Sequence, residues 1–267
     1  MKPYYQDQLI TIFHADCREV LPTLESGSID FIFTDPPYGH NNNNGDLAHR
    51  REEALGHVKS GKAEAGDARP IANDGPEANE LVRWFYGEAY RLIQPGCCCC
   101  CCCCGGGPDP QFARWSLWLD EAIGFKHAVV WDKGGLGMGW HYRRNYEMVL
   151  VAEKPGAACR WYGGNSTPNV LRINGIKPSK NDHPTPKPVA VPSWFIQLHT
   201  KPGDIVLDPF MGGGSTVVAA KQLGRRSIAI ELEERWCELA ATRLSQEALP
   251  IFEAKQPEQV TPGLALS

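Results

Sequence analysis

The chain has 267 residues, 42% of them hydrophobic and 22% charged, with a net charge of −4. That composition suits one large α/β domain with a substantial core, and it excludes collagen-like, low-complexity and charge-expanded disordered proteins. The first residues carry no apolar signal region and no apolar run reaches spanning length, so a cytoplasmic protein without membrane association is expected.

Residues 9–14 read as a strand, 18–24 as a short helix and 28–34 as a second strand, which runs directly into Asp35-Pro36-Pro37-Tyr38. Residues 39–72 are polar, with Asn41 to Asn44 as a low-complexity patch, and read as a long mobile loop of the kind that often serves as a functional lid, plain disorder being the other reading. Asp74 and Glu77 have the spacing of a capping box. Leu81, Trp84, Phe85, Ala89, Leu92 and Ile93 then recur at helical spacing up to Pro95-Gly96.

Eleven cysteines suggest a disulfide scaffold, but eight of them are consecutive, 97–104. Neighbours on a strand face opposite sides and cannot pair without strain. The spacing is also not that of zinc ligands, and no metal is expected. The run reads as a strand buried on both faces of a parallel sheet, with cysteine acting as a small hydrophobe in a reducing compartment. Thiol-based metal or redox chemistry is the alternative.

A helix follows with Phe112, Trp115, Leu119 and Ala122, closed by Gly124. Residues 126–131 and 146–152 read as strands, 153–182 as irregular and basic, and 188–199 as a helix. Strand 205–208, helix 215–223, strand 227–231 and helix 233–244 complete the pattern, with a loose tail beyond Ala248. This alternation predicts a doubly wound, mostly parallel sheet. Between 126 and 187 ten Lys/Arg face four acids, whereas three face seven from 231 onward. A basic middle on an acidic frame suits a localised polyanion site; a mixed, solvated surface is the other reading.

Asp208-Pro209-Phe210-Met211-Gly212-Gly213-Gly214-Ser215-Thr216 lies between a strand and a helix. Glycines there let backbone approach a ligand, and the helix start offers free N–H groups. Glu231, 19 residues after Gly212 and at the end of the next strand, stands where an acid accepts hydrogen bonds from ribose hydroxyls. A nucleoside cofactor follows. The third glycine of a dinucleotide fingerprint is missing, and there is no phosphate-binding G-x-x-x-x-G-K-[ST].

Asp35-Pro36-Pro37-Tyr38 suits work on an exocyclic amine of a nucleic-acid base. Such an amine is a poor nucleophile because its lone pair is delocalised into the ring. The Asp35 carboxylate and the Pro36 carbonyl can accept its two N–H groups and draw it towards a tetrahedral geometry. Pro36 and Pro37 stiffen the loop, and Tyr38 offers a stacking face for a base taken out of the duplex. Methyl transfer from a sulfonium then needs positioning rather than a covalent intermediate. An ordinary proline turn is the alternative for this tetrapeptide.

With these motifs in this order the chain resembles the S-adenosylmethionine-dependent DNA amino-methyltransferases of the permuted (β) class. In that class Asp-Pro-Pro-Tyr precedes the target-recognition segment and the glycine motif comes last. The resemblance implies a Rossmann-like methyltransferase fold over 1–267 with circularly permuted motif order. It also implies a polar loop at about 39–72 and a small target-recognition region at about 132–182. Asp16-Cys17 matches the early cofactor-contacting segment, and Asp35 touches the cofactor as well as the base. Thr185 and Lys187, in His183-Pro184-Thr185-Pro186-Lys187-Pro188, match a motif beside the methionine end of the cofactor. Asp208, Phe210, Met211, Gly212, Gly213, Gly214, Ser215 and Thr216 match the glycine motif; serine is commoner at 213 and threonine at 215. Trp140, His141, Tyr142, Arg143 and Arg144 become candidates for contact with double-stranded DNA, a structural hairpin being the other reading. Similar enzymes are often dimeric, so a homodimer is an expectation of the resemblance, and the sequence identifies no cognate restriction endonuclease. The leading Asp is typical of N6-adenine enzymes, whereas Ser-Pro-Pro-Tyr is commoner in N4-cytosine enzymes. C5-cytosine chemistry needs a nucleophilic Cys, usually after Pro, and the chain has no Pro-Cys. A non-catalytic DNA- or cofactor-binding module is a further class, against which the intact Asp35, Tyr38, Gly212, Gly214 and Glu231 argue.

Overall fold

Nine strands join in one sheet in the computed structural model, which describes residues 1–39, 74–75, 77–103, 111–135, 145–176 and 186–246. In chain order these are β1 (Tyr5–Gln6), β2 (Ile10–His14), β3 (Ile29–Thr34), β4 (Ile93–Cys103), β5 (Phe125–Asp132), β6 (Tyr146–Glu153), β7 (Val170–Arg172), β8 (Ile205–Asp208) and β9 (Arg226–Glu231). The helices are α1 (Cys17–Val20), α2 (Ala78–Leu92), α3 (Gln111–Ala122), α4 (Ala190–His199), α5 (Ser215–Gln222) and α6 (Glu234–Gln246). The spatial order is β1-β2-β9-β8-β3-β4-β6-β5-β7. The five strands from β2 to β4 are mutually parallel, and β6 is antiparallel to both β4 and β5. This is the mixed α/β, mostly parallel, Rossmann-like architecture expected.

Both faces are covered. One carries α1, α2 and α3, with Cys17, Val20, Leu81, Phe85 and Trp115 packed on Ile32 and Leu207. The other carries α4, α5 and α6, with Phe195, Ile196, Val217, Val218 and Leu244 packed on Phe31, Phe33 and Val206. From β3 the chain crosses over α2 to β4 on one side; from β8 it crosses over α5 to β9 on the other. The order therefore reverses between β3 and β8, and open α/β sheets bind ligands in the crevice beyond the carboxyl ends of such strands.

The cysteine run lies where pleat alternation puts it. Cys97, Cys99 and Cys101 join the core under α2 and α3, and Cys98, Cys100 and Cys102 join the core under α4. Each of these six is at most 4% exposed. A side chain of this size lets bulkier groups close over the strand: Trp115 is fully buried there, and the Tyr86 hydroxyl donates to Cys101 Sγ at 3.4 Å. Burial pushes the Cys97 thiol up to about 11 and that of Cys101 to about 12, so both stay protonated and unreactive at neutral pH. Cys159 is exposed. A thiol reagent applied to the native protein is expected to modify Cys159 first and to leave Cys97 to Cys102 intact until unfolding, read per residue by mass spectrometry. Early labelling of Cys99 or Cys100 would contradict the buried strand.

Four local expectations are corrected. β4 has a parallel neighbour in β3 but an antiparallel one in β6, because β6 returns from β5 as a hairpin arm. The preceding helix ends at Leu92, and Pro95-Gly96 forms a bend inside β4. Gly96 has φ 76° there, and an added Cβ would stand 2.3 Å from the Ala158 carbonyl oxygen. Asp74 does not cap α2, which starts at Ala78; its Oδ1 instead accepts from the Gly39 N–H at 2.8 Å. Finally, the stretch read as irregular contains β7, three residues long on the sheet edge with only Leu171 buried. Among the described residues no helix is long and apolar enough to cross a membrane.

His199, at the end of α4, is 7% exposed, stacks on Phe31 at 5.2 Å and meets the Trp161 edge at 5.3 Å. Among the described residues its Nδ1 has no hydrogen-bond partner. Burial lowers its pKa from 6.5 to about 4. The unfolded chain therefore takes up this proton first. Stability is complete above about pH 6.5 and declines as pH falls towards 4, by on the order of 3 kcal/mol. His199→Phe is expected to flatten that part of the urea-midpoint profile relative to the parent. The comparison cancels groups common to both proteins, such as Asp208; an unchanged slope would exclude His199 as its source.

Candidate active site

A cleft of about 310 Å³ opens at the carboxyl ends of β3, β8 and β9, within the range of small-molecule sites, roughly 300–1,000 Å³. Asp35-Pro36-Pro37-Tyr38 forms one wall, leaving β3 at Thr34. The two central strands are tied at this point, since Thr34 Oγ1 donates to Asp208 Oδ1 at 2.8 Å. After Tyr38 the chain turns at Gly39, φ 70°, where a Cβ would stand 3.0 Å from the Gly75 carbonyl oxygen.

The glycine loop forms the floor. Asp208 is 3% exposed and also accepts from the Phe210 N–H at 3.2 Å. Burial raises its carboxyl to about 6, so its main contribution is to shape the turn. Phe210 meets Phe85 edge-on at 5.5 Å, which anchors the loop to α2. Met211, Gly212, Gly213, Ser215 and Thr216 all face the cleft. Gly214 does not: at φ 81° it lies behind the loop, and a Cβ would stand 2.7 Å from that of Ala240 on α6. The third glycine therefore serves close packing of loop on helix rather than ligand approach.

Glu231 ends β9 with its carboxylate already organised. Oε2 accepts from the Gly212 N–H and Oε1 from the Glu233 N–H, both at 2.8 Å. Each oxygen retains a lone pair, and the residue lines the cleft. Asp16 caps α1 by accepting from the Arg18 N–H at 2.8 Å, and it pairs with the Arg18 guanidinium. Buried Cys17 has its thiol pushed up to about 12 and contributes a wall. Trp236 of α6 completes the pocket; only its place at an apolar helical position marked it in the sequence.

Lys187 lines the cleft and also makes contacts that the motif match did not foresee. Its Nζ donates to Asp35 Oδ2 at 2.5 Å and to Glu147 Oε2 at 3.0 Å, so it binds the catalytic-motif carboxylate directly. Glu147 Oε1 in turn accepts from Lys133 Nζ at 2.9 Å. The Tyr38 hydroxyl donates to the other Asp35 oxygen at 2.5 Å. Burial pushes the Asp35 carboxyl above the usual carboxylate range, with Lys187 opposing. Burial also works against charge on Lys187, but the two carboxylates beside it hold its ammonium well above the usual lysine range. The backbone carries this residue to the glycine loop as well, because Ser215 Oγ donates to the Lys187 carbonyl at 2.6 Å. Glu147 and Lys133 were not among the residues picked from sequence. The signal available was a carboxylate at the start of the otherwise apolar strand Tyr146–Glu153. Thr185 and the DNA-contact candidates Trp140, His141, Tyr142, Arg143 and Arg144 lie outside the described residues.

An organised acceptor at Glu231, glycine backbone beside it, apolar walls from Phe210, Ile230 and Trp236, and anionic Asp35 further along fit S-adenosylmethionine well. The nucleoside matches the first three features and the cationic sulfur the last. Such a cleft at the switch point of this sheet defines an α/β methyltransferase. A family model described as a DNA methylase, of the N6/N4 group, matches residues 29–242, and the chain belongs to that family. It is 26% identical over 274 residues to the Type II methyltransferase M2.DpnII of Streptococcus pneumoniae, covering 92% of this chain and 93% of that one. It is 27% identical over 270 residues to the Type II methyltransferase M2.LlaDCHI of Lactococcus lactis subsp. cremoris, with the same coverage. The crystal structure of the M1.HpyAVI–SAM complex aligns with a TM-score of 0.60 at 27% identity, over 88% of this chain and 100% of that one.

Proposed function

We propose that this protein methylates N6 of adenine in duplex DNA, with S-adenosylmethionine as donor and the target base turned out of the stack. The observation that carries this reading is the convergence of Asp35, the glycine loop and Glu231 on one cleft. The cofactor supplies a methyl group on a positively charged sulfur. Glu231 and the backbone of Gly212 and Gly213 hold the nucleoside. The Tyr38 ring stacks on the base. Asp35 and the Pro36 carbonyl accept the two amine N–H groups and raise the nucleophilicity of the nitrogen. As the N–C bond forms and the S–C bond breaks, the nitrogen sheds one proton, which Asp35 or a water beside it takes up. Both Asp35 oxygens keep a lone pair beyond the bonds from Lys187 and Tyr38, so the carboxylate can receive the amine without losing its supports.

Adenine is favoured over cytosine by the leading Asp of the tetrapeptide. Trp140 to Arg144 are assigned to DNA contact, and the enzyme is placed in the cytoplasm. Methylation-aware sequencing of a host expressing the chain is expected to show modified adenine at one recurring short sequence. Modified cytosine alone would overturn the choice of base, and an unmodified genome would overturn the activity.

A further inference from the structure

Four side chains of alternating charge form one chain, Lys133–Glu147–Lys187–Asp35, through contacts of 2.9, 3.0 and 2.5 Å. They come from three places: Asp35 after β3, Lys187 before α4, and the β5–β6 pair, where Lys133 follows β5 and Glu147 lies in β6. The side chains of Glu147 and Lys187 are only 14% and 10% exposed. Beneath them lies Trp131, 2% exposed and paired in register with Glu147. Its Nε1 donates to the Ile173 carbonyl at 2.8 Å, which fixes the ring. The Lys187 and Lys133 ammoniums stand 5.8 and 5.7 Å from the centre of that ring, within cation–π range. The chain is neutral as a whole, and each interior member has a partner of opposite charge on both sides. A buried pair with one partner removed leaves an uncompensated charge. Asp35 thus depends, through Lys187, on Glu147 and Lys133, which are not among the residues that line the cleft.

We propose that Glu147 is a positioning residue for methyl transfer: it holds Lys187 from the side opposite Asp35, and so fixes the ammonium that orients the Asp35 carboxylate and tunes it as acceptor of the target amine. The catalytic part rests on the function proposed above; the electrostatic part rests on the ion-pair chain alone. The two neighbours act on Asp35 with opposite sign. The Lys187 charge favours the ionised carboxylate and the Glu147 charge opposes it. The other groups facing Asp35 are Tyr38, Asp208, Cys101 and Cys102. The two thiols stay neutral, and Asp208 is common to every protein compared.

The test is a carboxyl ¹³C NMR titration of the cofactor-free protein, with the Asp35 signal assigned by its loss in Asp35→Asn. Glu147→Gln is expected to lower the Asp35 midpoint and Lys187→Met to raise it, each by about one unit or more, the scale of a close neighbouring charge. Single-turnover methyl transfer is measured alongside, at saturating S-adenosylmethionine. Glu147→Gln is expected to slow it about 10-fold with cofactor affinity within twofold of the parent, and Glu147→Asp, which restores the charge on a shorter arm, to recover part of the rate. Shifts of the same sign in both variants, or none in Glu147→Gln, would overturn the proposal. An unaltered rate in Glu147→Gln would overturn its catalytic part. Both NMR shifts in the variants, together with a parent protein that methylates no DNA, would sink the function while leaving the electrostatic role standing.

Discussion

Asp35→Ala is expected to lower the single-turnover rate of methyl transfer by about 10³-fold or more, roughly 4 kcal/mol of transition-state stabilisation, while S-adenosylmethionine still binds within a few-fold of the parent. The reason is local. Asp35 is the cleft-lining carboxylate that Lys187 and Tyr38 hold between them, one on each oxygen. The variant should fold, because Lys187 keeps its contact with Glu147 when Asp35 is gone. Asp35→Asn is expected to fare little better: an amide offers one acceptor and turns two N–H donors towards Lys187 or towards the amine. A rate within tenfold of the parent in both variants would remove Asp35 from the chemistry.

Glu231→Ala is expected to act on binding instead. Its carboxylate accepts from the Gly212 and Glu233 N–H groups, one on the glycine loop and one at the entry to α6. Removing it leaves two part-buried donors without their acceptor, at about 1–3 kcal/mol each, and takes away the acceptor offered to the ribose. Affinity for S-adenosylmethionine should fall on the order of 10²-fold, read by calorimetry, with the rate at saturation changed far less. Glu231→Gln should be nearly as weak a binder. Both oxygens accept from backbone N–H groups, so a glutamine must turn its NH₂ against one of them. Full affinity in Glu231→Gln would show that one of the two bonds is dispensable.

The alternation of apolar runs with helical spacings was enough to place β2, β3, β8, β9 and the helices within a few residues, since each buries apolar side chains in the core. The short edge pairings β1 and β7 were not legible, because two or three residues carry too little pattern and are defined by their neighbours. The cysteine strand was readable through elimination of disulfide and zinc geometry, yet its antiparallel neighbour β6 depended on the return of a hairpin and not on the run itself. At the site, motif spacing picked out Asp35, Glu231 and the glycine loop, which line one cleft because each sits at the carboxyl end of a neighbouring strand. Lys187 was picked out and lines the cleft, but its contacts with Asp35 and Glu147 were not foreseen, and Glu147 was not picked out. Ion pairs between the segment after β3, β6 and the segment before α4 join residues 35, 147 and 187, and such distances leave no periodic trace in one sequence. Asp74 shows the opposite failure: local spacing suggested a helix cap, whereas the tertiary fold uses its carboxylate to hold Gly39 after the catalytic motif.

The most direct measurement uses purified protein, S-adenosylmethionine labelled on its methyl group, and duplex genomic DNA free of prior methylation, followed by digestion and mass spectrometry of the nucleosides. Labelled N6-methyladenine is expected with the parent protein and none with Asp35→Ala. Label found only in N4-methylcytosine would contradict the choice of base, and label persisting undiminished in Asp35→Ala would contradict the assignment of the cleft.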